Sequence, residues 1–215
     1  MTSNKDAPRL TRREDLLAAL REERVWDLAI IGGGATGLGV ALDAAMRGFS
    51  VVLVESRDFA AGTSSRATKL VHGGVRYLAQ GNVPLVTEAL HERTRLLHNA
   101  PHLAQPLAFV MPSYQWWEVP FYGIGLKMYD LLAGSHGLGR TEFLSRHQTL
   151  QSLPGVQPAG LVGGVKYWDG QFDDARVALA LARTAAAQGA LVINHCEVKG
   201  CLLYTSPSPR DGLLS

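Results

Sequence analysis

Three glycines, Gly32, Gly34 and Gly37, stand in the spacing GxGxxG, and a carboxylate, Glu55, follows them. Each glycine meets a separate demand of an anion site built from backbone. Gly32 permits a tight turn, Gly34 lets main chain approach a pyrophosphate, and Gly37 lets a helix pack closely on a strand. Ala35 and Thr36 would open that helix, whose N–H groups and partial positive charge face the phosphates. Glu55 stands at the separation expected of an acid that accepts hydrogen bonds from ribose hydroxyls, and a carboxylate rather than an arginine there disfavours a 2′-phosphate. This chemistry binds the ADP half of a dinucleotide. The bland alternative is a glycine turn without ligand beside a solvated glutamate, and the fingerprint by itself leaves NAD and FAD open.

A second run, "GTSSRATKLVHGGVRYLAQGN" from Gly62 to Asn82, gathers hydroxyls, cations, a histidine, an aromatic and paired glycines. It is too polar and glycine-broken for a buried strand, and Ser64, Ser65 and Thr68 stand where hydroxyls meet phosphate or ring heteroatoms. A plain nicotinamide dehydrogenase continues from its second strand into another helix and strand. This run suits a longer cofactor, one gripped along its whole length, and so favours FAD.

The elements that must position these groups are legible. "VWDLAIIGGGATGLGVALDAAMRGFSVVLVE" predicts a strand over 25–31, a helix over 35–47 stopped by Gly48, and a strand over 50–55. That is one βαβ unit, and its continuous apolar strands predict a parallel sheet covered on both faces. Ahead of it, Thr11 and Glu14 have the spacing of a capping box, and Leu16, Leu17 and Leu20 form a thin apolar stripe, a short helix packed on the domain surface.

Further on, 88–98 predicts a helix with Leu90, Leu96 and Leu97 inward and His91 and His98 on its surface. "PLAFVMPSYQWWEVPFYGIGLKMYDLLAG" is aromatic, then helical over about 121–132, without an uncharged apolar stretch long enough to span a bilayer. Its aromatics fit a core, and the alternative is a membrane-touching patch at Trp116 and Trp117. In "KYWDGQFDDARVALALARTAAAQGALVINHCEV", Asp173 or Asp174 caps a helix that leads to a strand, and Asp169 reads as a turn former rather than a catalytic acid.

Composition sets the limits. The 215 residues are 47% hydrophobic and 19% charged, with a net charge of +2, an ordinary globular balance with scattered basic residues and no nucleic-acid signature. Cys196 and Cys201 lack metal-ligand spacing, so no metal is expected. The charged start lacks an apolar leader, which fits a cytoplasmic, reducing setting.

The blocks "IIGGGATGLGVALDAAMRG", "GTSSRATKLVHGGVRYL", "FYGIGLKMYDLLAG" and "YWDGQFDDARVALALARTAAAQGA", in that order, resemble the FAD-dependent glycerol-3-phosphate dehydrogenases. The likeness runs from about Trp26 to about Lys199. It implies that Ser64, Ser65, Lys69, Leu70, His72 and Gly73 line the flavin side of a site, where glycines at 73 and 74 would let backbone lie against a planar ring. It implies Arg76 and Tyr77 as contacts for a substrate phosphate, and Val198 as backbone presented to adenine. His72 either takes the substrate's hydroxyl proton or merely hydrogen-bonds flavin or backbone; an imidazole is the side chain whose charge changes nearest neutral pH.

The resemblance implies oxidation of sn-glycerol 3-phosphate to dihydroxyacetone phosphate, with electrons passed through FAD to quinone or another acceptor and peripheral membrane contact open. The expected fold is α/β, a Rossmann-like FAD-binding domain with a parallel sheet plus part of a mixed α+β substrate-side domain. Its expected boundaries are an extension at 1–24, the βαβ unit and flavin-contacting segment at 25–80, a cap region at 81–168, a return to the FAD domain at 169–199, and a foreign, disordered tail at 200–215. Family members are longer, so full catalysis is not expected of this stretch alone. Two alternatives stand: a related FAD-dependent amine or amino-acid oxidase, and an inactive flavin-binding module.

Overall fold

The structure, a computed structural model, describes residues 12–78 and 80–200, without the side chains of Val75, Arg76 and Ser135. Thr11 of the expected capping box, and the tail beyond Gly200, lie outside the described residues. Two compact units emerge, one holding the chain up to Arg66 and from Ala178 onward, the other Ala67–Val177.

The first unit is built on a parallel sheet in the order β1 (Leu28–Ile31), β2 (Val51–Val54), β7 (Leu191–Ile193). As expected of a parallel sheet, β7 is buried along its length and β2 all but its last residue. The outer strand β1 departs from this. It is shorter than the apolar run 25–31, with Val25 exposed and Ile31 71% exposed, because one of its faces is left uncovered. Ahead of it Asp27 ties the two strands, accepting from the Ser50 N–H at 2.8 Å and from its hydroxyl at 2.6 Å.

Helix α1 (Arg13–Arg21) begins after Arg12, which brings no capping hydrogen bond. Its Leu16, Ala19 and Leu20 pack with Trp26 against Val52, Leu191 and Ile193. Helix α2 (Ala35–Met46) ends where Gly48 takes φ +90°. Helix α7 (Asp174–Ala187), within which the division into units falls, buries Ala178, Ala182 and Ala185, a stripe at helical spacing. These alanines meet Leu38, Ala41, Ala44, Val51, Leu53 and Val192 in one core. Small side chains let helix backbone come close to the sheet.

The second unit is antiparallel. Its central strand, β6 (Gly163–Phe172), pairs along its whole length with β4 (Ala104–Ser113). Its other edge is shared by β3 (Leu70–Val71), at Gly170 and Gln171, and β5 (Glu142–Ser145), at Gly163 to Lys166. Helices α3 (Val75–Leu78), α4 (Val83–Asn99), α5 (Glu118–Ala133) and α6 (Arg146–Ser152) complete it. The start of α4 is earlier than periodicity suggested, because Asn82 caps it, accepting from Leu85 N–H at 3.3 Å, and a proline follows. Val86, Leu90, Tyr129 and Ala133 form this unit's core.

The aromatics around 116–121 are not core: Trp116 is 77% exposed, and α5 buries Leu126, Tyr129 and Ala133 while Trp117, Phe121, Ile124, Met128 and Leu131 form an opposite, exposed apolar stripe. Asp169 is not in a turn; it sits inside β6 and is buried. Among the described residues no helix is long and apolar enough to cross a membrane.

Helix α2 carries a paired test of its glycines. A Cβ at Gly37 would lie 2.1 Å from the Gly32 carbonyl oxygen, whereas one at Gly39 would meet nothing within 4 Å. Gly37→Ala is expected to destabilise by about 3 kcal/mol or more through overpacking. Gly39→Ala is expected to stabilise by about 0.5–1 kcal/mol, the ordinary helix-interior gain. Thermal melts of both variants check the opposite signs, and two shifts of one sign would contradict this packing.

Candidate functional site

In the first unit the turn after β1 leads straight into α2. Gly32 takes φ +116°, and its N–H donates to the Val54 carbonyl at 2.9 Å, anchoring the turn to β2. Gly34 is the N-cap of α2 and brings no side chain to it; a Cβ there would meet only the Ser64 Oγ, at 3.2 Å. The main chain is therefore open to a ligand at the helix start, where N–H groups and the helix dipole favour an anion. Ser64 comes from the short helical turn Thr63–Ser65 to accept from the Ala35 N–H at 2.9 Å. Ser65 is half-buried beside it.

Sequence reasoning gave Gly33 no duty, yet a Cβ there would lie 2.7 Å from Phe59 Cδ1 and 2.9 Å from Glu55 Cβ. Its N–H donates to Glu55 Oε2 at 2.7 Å, while Glu55 Oε1 accepts from Arg57 N–H at 2.8 Å and the Ser56 hydroxyl at 3.1 Å. The Arg57 and Gly33 N–H groups hold the Glu55 carboxyl below its ordinary range, against the small opposing effect of burial. Three donors occupy a group with about four acceptor positions, so Oε2 keeps room for one more donor. The chain after β7 runs alongside: Cys196 N–H donates to the Glu55 carbonyl at 2.7 Å and His195 N–H to that of Arg57 at 2.8 Å. Val198, exposed, follows two residues later. Gly32, Gly34, Ala35, Thr36, Gly37, Glu55, Ser64, Ser65 and Val198 thus belong to one unit.

The remaining sequence-predicted residues belong to the other unit. Lys69, at φ +62°, forms an ion pair with Asp174, which is 3% exposed. Burial by itself would raise the Asp174 carboxyl, but Lys69 and the N–H groups of Ala175, at 2.7 Å, and Ala67, at 3.1 Å, outweigh it and hold the group below its ordinary value. Asp173 is the helix cap, accepting from Arg176 N–H at 3.1 Å. Leu70 lies in β3, His72 is exposed, and Tyr77 is exposed on α3. The Arg76 side chain lies outside the described residues. Beside Lys69 a cleft of about 400 Å³ opens toward His102, Gln105, Gln171 and Asp173.

Gly73 also serves the packing of its own unit. A Cβ there would lie 2.1 Å from Tyr129 Oη and 2.5 Å from Leu90 Cδ2, so the missing side chain makes room for the unit's own core. Around it lies a buried polar cluster that sequence reasoning missed. Arg93 Nη1 donates to Asp169 Oδ1 at 3.0 Å and to Tyr129 Oη at 3.1 Å, and Nη2 donates to the His136 carbonyl at 3.0 Å. Arg93 is 1% exposed and Asp169 4%. Burial and the Asp169 charge push the Tyr129 phenol well above its ordinary value. The available signal was the spacing of Val86, Leu90 and Arg93, which puts a cation on an apolar stripe.

Residues 27–206 match the model of a family described as FAD dependent oxidoreductase, a match that runs past Gly200, where the sequence likeness was expected to end. The chain is 50% identical over 202 residues to the mitochondrial glycerol-3-phosphate dehydrogenase of Rattus norvegicus, covering 91% of this chain and 28% of that protein. A glycerol-3-phosphate dehydrogenase from Bacillus halodurans, solved in complex with FAD, superposes with a TM-score of 0.63 at 35% identity, covering 87% of this chain and 29% of that one. A glycine oxidase from Bacillus cereus superposes with a TM-score of 0.53 at 21% identity, over 80% of this chain and 46% of that one, a likeness of fold alone. The chain spans under a third of the length of the curated relative it matches.

Two of the depressed carboxylates, Glu55 and Asp174, give an acid signature. A carboxylate whose folded pKa lies below its unfolded value, about 4, contributes stability that is fully present above that value and lost as pH falls through the folded pKa. The melting temperature should hold between pH 7 and 5 on account of Glu55 and Asp174, then fall below about pH 4. Asp174→Asn should lower the plateau and flatten the acid limb, and an unchanged limb in that variant would refute the assignment.

Proposed function

The chain belongs to the FAD dependent oxidoreductase family, and on that premise we propose that the complete protein containing it oxidises sn-glycerol 3-phosphate to dihydroxyacetone phosphate. The observation that carries the reading is the start of α2, opened by a cap without a side chain and flanked by Ser64 and the ionised Glu55. Those groups fit FAD: backbone N–H for the diphosphate, a carboxylate position for ribose, and a serine whose oxygen is engaged by Ala35, leaving its proton to donate. Identity to glycerol-3-phosphate dehydrogenases of 35–50%, against 21% to the glycine oxidase, supports the substrate and counts against an amine or amino-acid oxidase.

Bound FAD supplies the acceptor for the hydride that leaves the carbon bearing the reacting hydroxyl. The first unit holds the ADP half through Gly32, Gly34, Ala35, Thr36, Gly37, Glu55 and Val198, with Ser64 and Ser65 further along. In this reading Lys69, Leu70, His72 and Gly73 serve the flavin side, and Arg76 and Tyr77 the substrate phosphate. His72 takes the hydroxyl proton; its exposure supports access to substrate. Electrons leave to quinone or another acceptor at a membrane surface on the cytoplasmic side, where the protein sits peripherally. The exposed stripe Trp117, Phe121, Ile124, Met128 and Leu131 supports that contact, since an apolar helix face with flanking tryptophan suits the lipid interface.

The complete protein purified with FAD should carry a flavin absorption band in its gel-filtration peak. Anaerobic glycerol 3-phosphate should bleach it and glycine should not. Glu55→Gln should weaken FAD binding roughly tenfold or more, the worth of a charge-assisted hydrogen bond. A protein that stays colourless in excess FAD, or bleaches with glycine alone, defeats the reading. Separately, wild type should co-sediment with phospholipid vesicles, and the pair Phe121→Asp and Leu131→Asp should abolish this while retaining flavin.

A further inference from the structure

Asp169 Oδ1 accepts three hydrogen bonds: from Arg93 at 3.0 Å, from Gly170 N–H at 3.0 Å and from Gly73 N–H at 3.1 Å. The last crosses from the middle of β6 to the loop between β3 and α3. Tyr129 Oη donates to Oδ2 at 3.5 Å and accepts a hydrogen bond from the same Arg93 nitrogen at 3.1 Å. Arg93 Nε is buried without a partner.

Stability alone is a poor explanation of this cluster. Taking an ion pair out of water costs as much as the pairing returns, and well-packed apolar side chains of similar volume serve a core as well or better. The unpartnered Nε makes the balance worse. What an apolar trio cannot do is hold a backbone N–H. No peptide bond described here is cis. In a trans peptide the carbonyl oxygen points opposite to the N–H. With the Gly73 N–H fixed inward on Asp169, the carbonyl of exposed His72 is directed away from the core.

We propose that Asp169, held by Arg93 and Tyr129, is a positioning residue that locks the His72–Gly73 peptide with its N–H inward and its carbonyl outward, so that the loop offers a fixed acceptor to an N–H donor of the flavin ring. The proposal rests on the FAD reading above. It separates the two sides of one peptide: the inner is the protein's own, the outer belongs to the ligand. Arg93 and Tyr129 never touch the reacting atoms in this scheme; they orient a buried carboxylate.

The test uses the FAD-loaded protein with Asp169→Ala, Asp169→Asn and, as a destabilised control from the same core, Val86→Ala. Asp169→Ala should weaken FAD binding roughly tenfold or more and shift the visible flavin band, the loss expected when a charge-assisted anchor is removed. Asp169→Asn retains Oδ1 for the same three donors and should restore most of both. Val86→Ala should melt earlier with the flavin band and affinity unchanged. If Asp169→Ala behaves on the flavin readouts as Val86→Ala does, the cluster is only structural and the proposal fails. Should Asp169→Ala not fold, amide exchange in the wild type decides: Gly73 protected like the strand residues of β6 supports the anchor, and Gly73 exchanging as freely as an exposed loop amide overturns it. Exchange is readable without flavin, so a failed anchor and a failed cofactor assignment give different results.

Discussion

The first unit depends on how closely one stretch of backbone can approach another. Between the Gly32 carbonyl and the first turn of α2 there is no space for a methyl group, since a Cβ at Gly37 would sit 2.1 Å from that oxygen. This approach sets the helix axis against the end of the parallel sheet, and so decides where the N–H groups at the helix start are held. The alanines at 178, 182 and 185 apply the same economy of volume to α7 in the same core. A helix kept at arm's length by larger side chains would carry its dipole away from the turn, and Glu55 and Ser64 would have no common point to flank. The site in this unit is thus a consequence of packing density as much as of polar groups.

The second unit solves its positioning problem with charge. Asp174 draws in Lys69 and the Ala67 N–H at one end of β3, and Asp169 draws in the Gly73 N–H at the other. β3 itself is two residues long and contributes little pairing of its own. The segment that carries His72 is therefore placed by two buried carboxylates on and just beyond β6 more than by the sheet ladder. Such placement is specific because each carboxylate needs its donors: moving the loop would strand a buried charge, at a cost of several kcal/mol. Apolar contact alone tolerates sliding.

Legibility in the sequence followed the range of the interaction. The glycine turn, the helix it opens, its stop at Gly48 and the cap of α7 are set by residues within a few positions of one another; the first three stand where the sequence puts them, and of Asp173 and Asp174 the structure makes Asp173 the cap. Arg93 and Asp169 are 76 positions apart, and neither has a local pattern that names the other. "DG" in "YWDGQF" has the chemistry of a turn. Here it lies mid-strand, because Gly170 leaves room for Val71, whose Cγ1 would be 2.6 Å from a Cβ at that position. The α5 aromatics misled in another way: both faces of that helix are apolar, and composition cannot tell which one the fold covers. A second apolar face is information about surroundings that the chain's own core does not supply.

Glycine at 73 shows why identity and reason must be kept apart. A ring lying on the backbone and a tyrosine packed beneath it both require the absence of a side chain, and sequence cannot distinguish them. Tyr129 and Leu90 impose the requirement from the inner side. That leaves the outer side of the same peptide unspent, with the His72 carbonyl directed outward by the bond that fixes its neighbour's N–H. A residue can thus be obligatory for packing while its predecessor is available for binding, and the two demands share a single rigid plane.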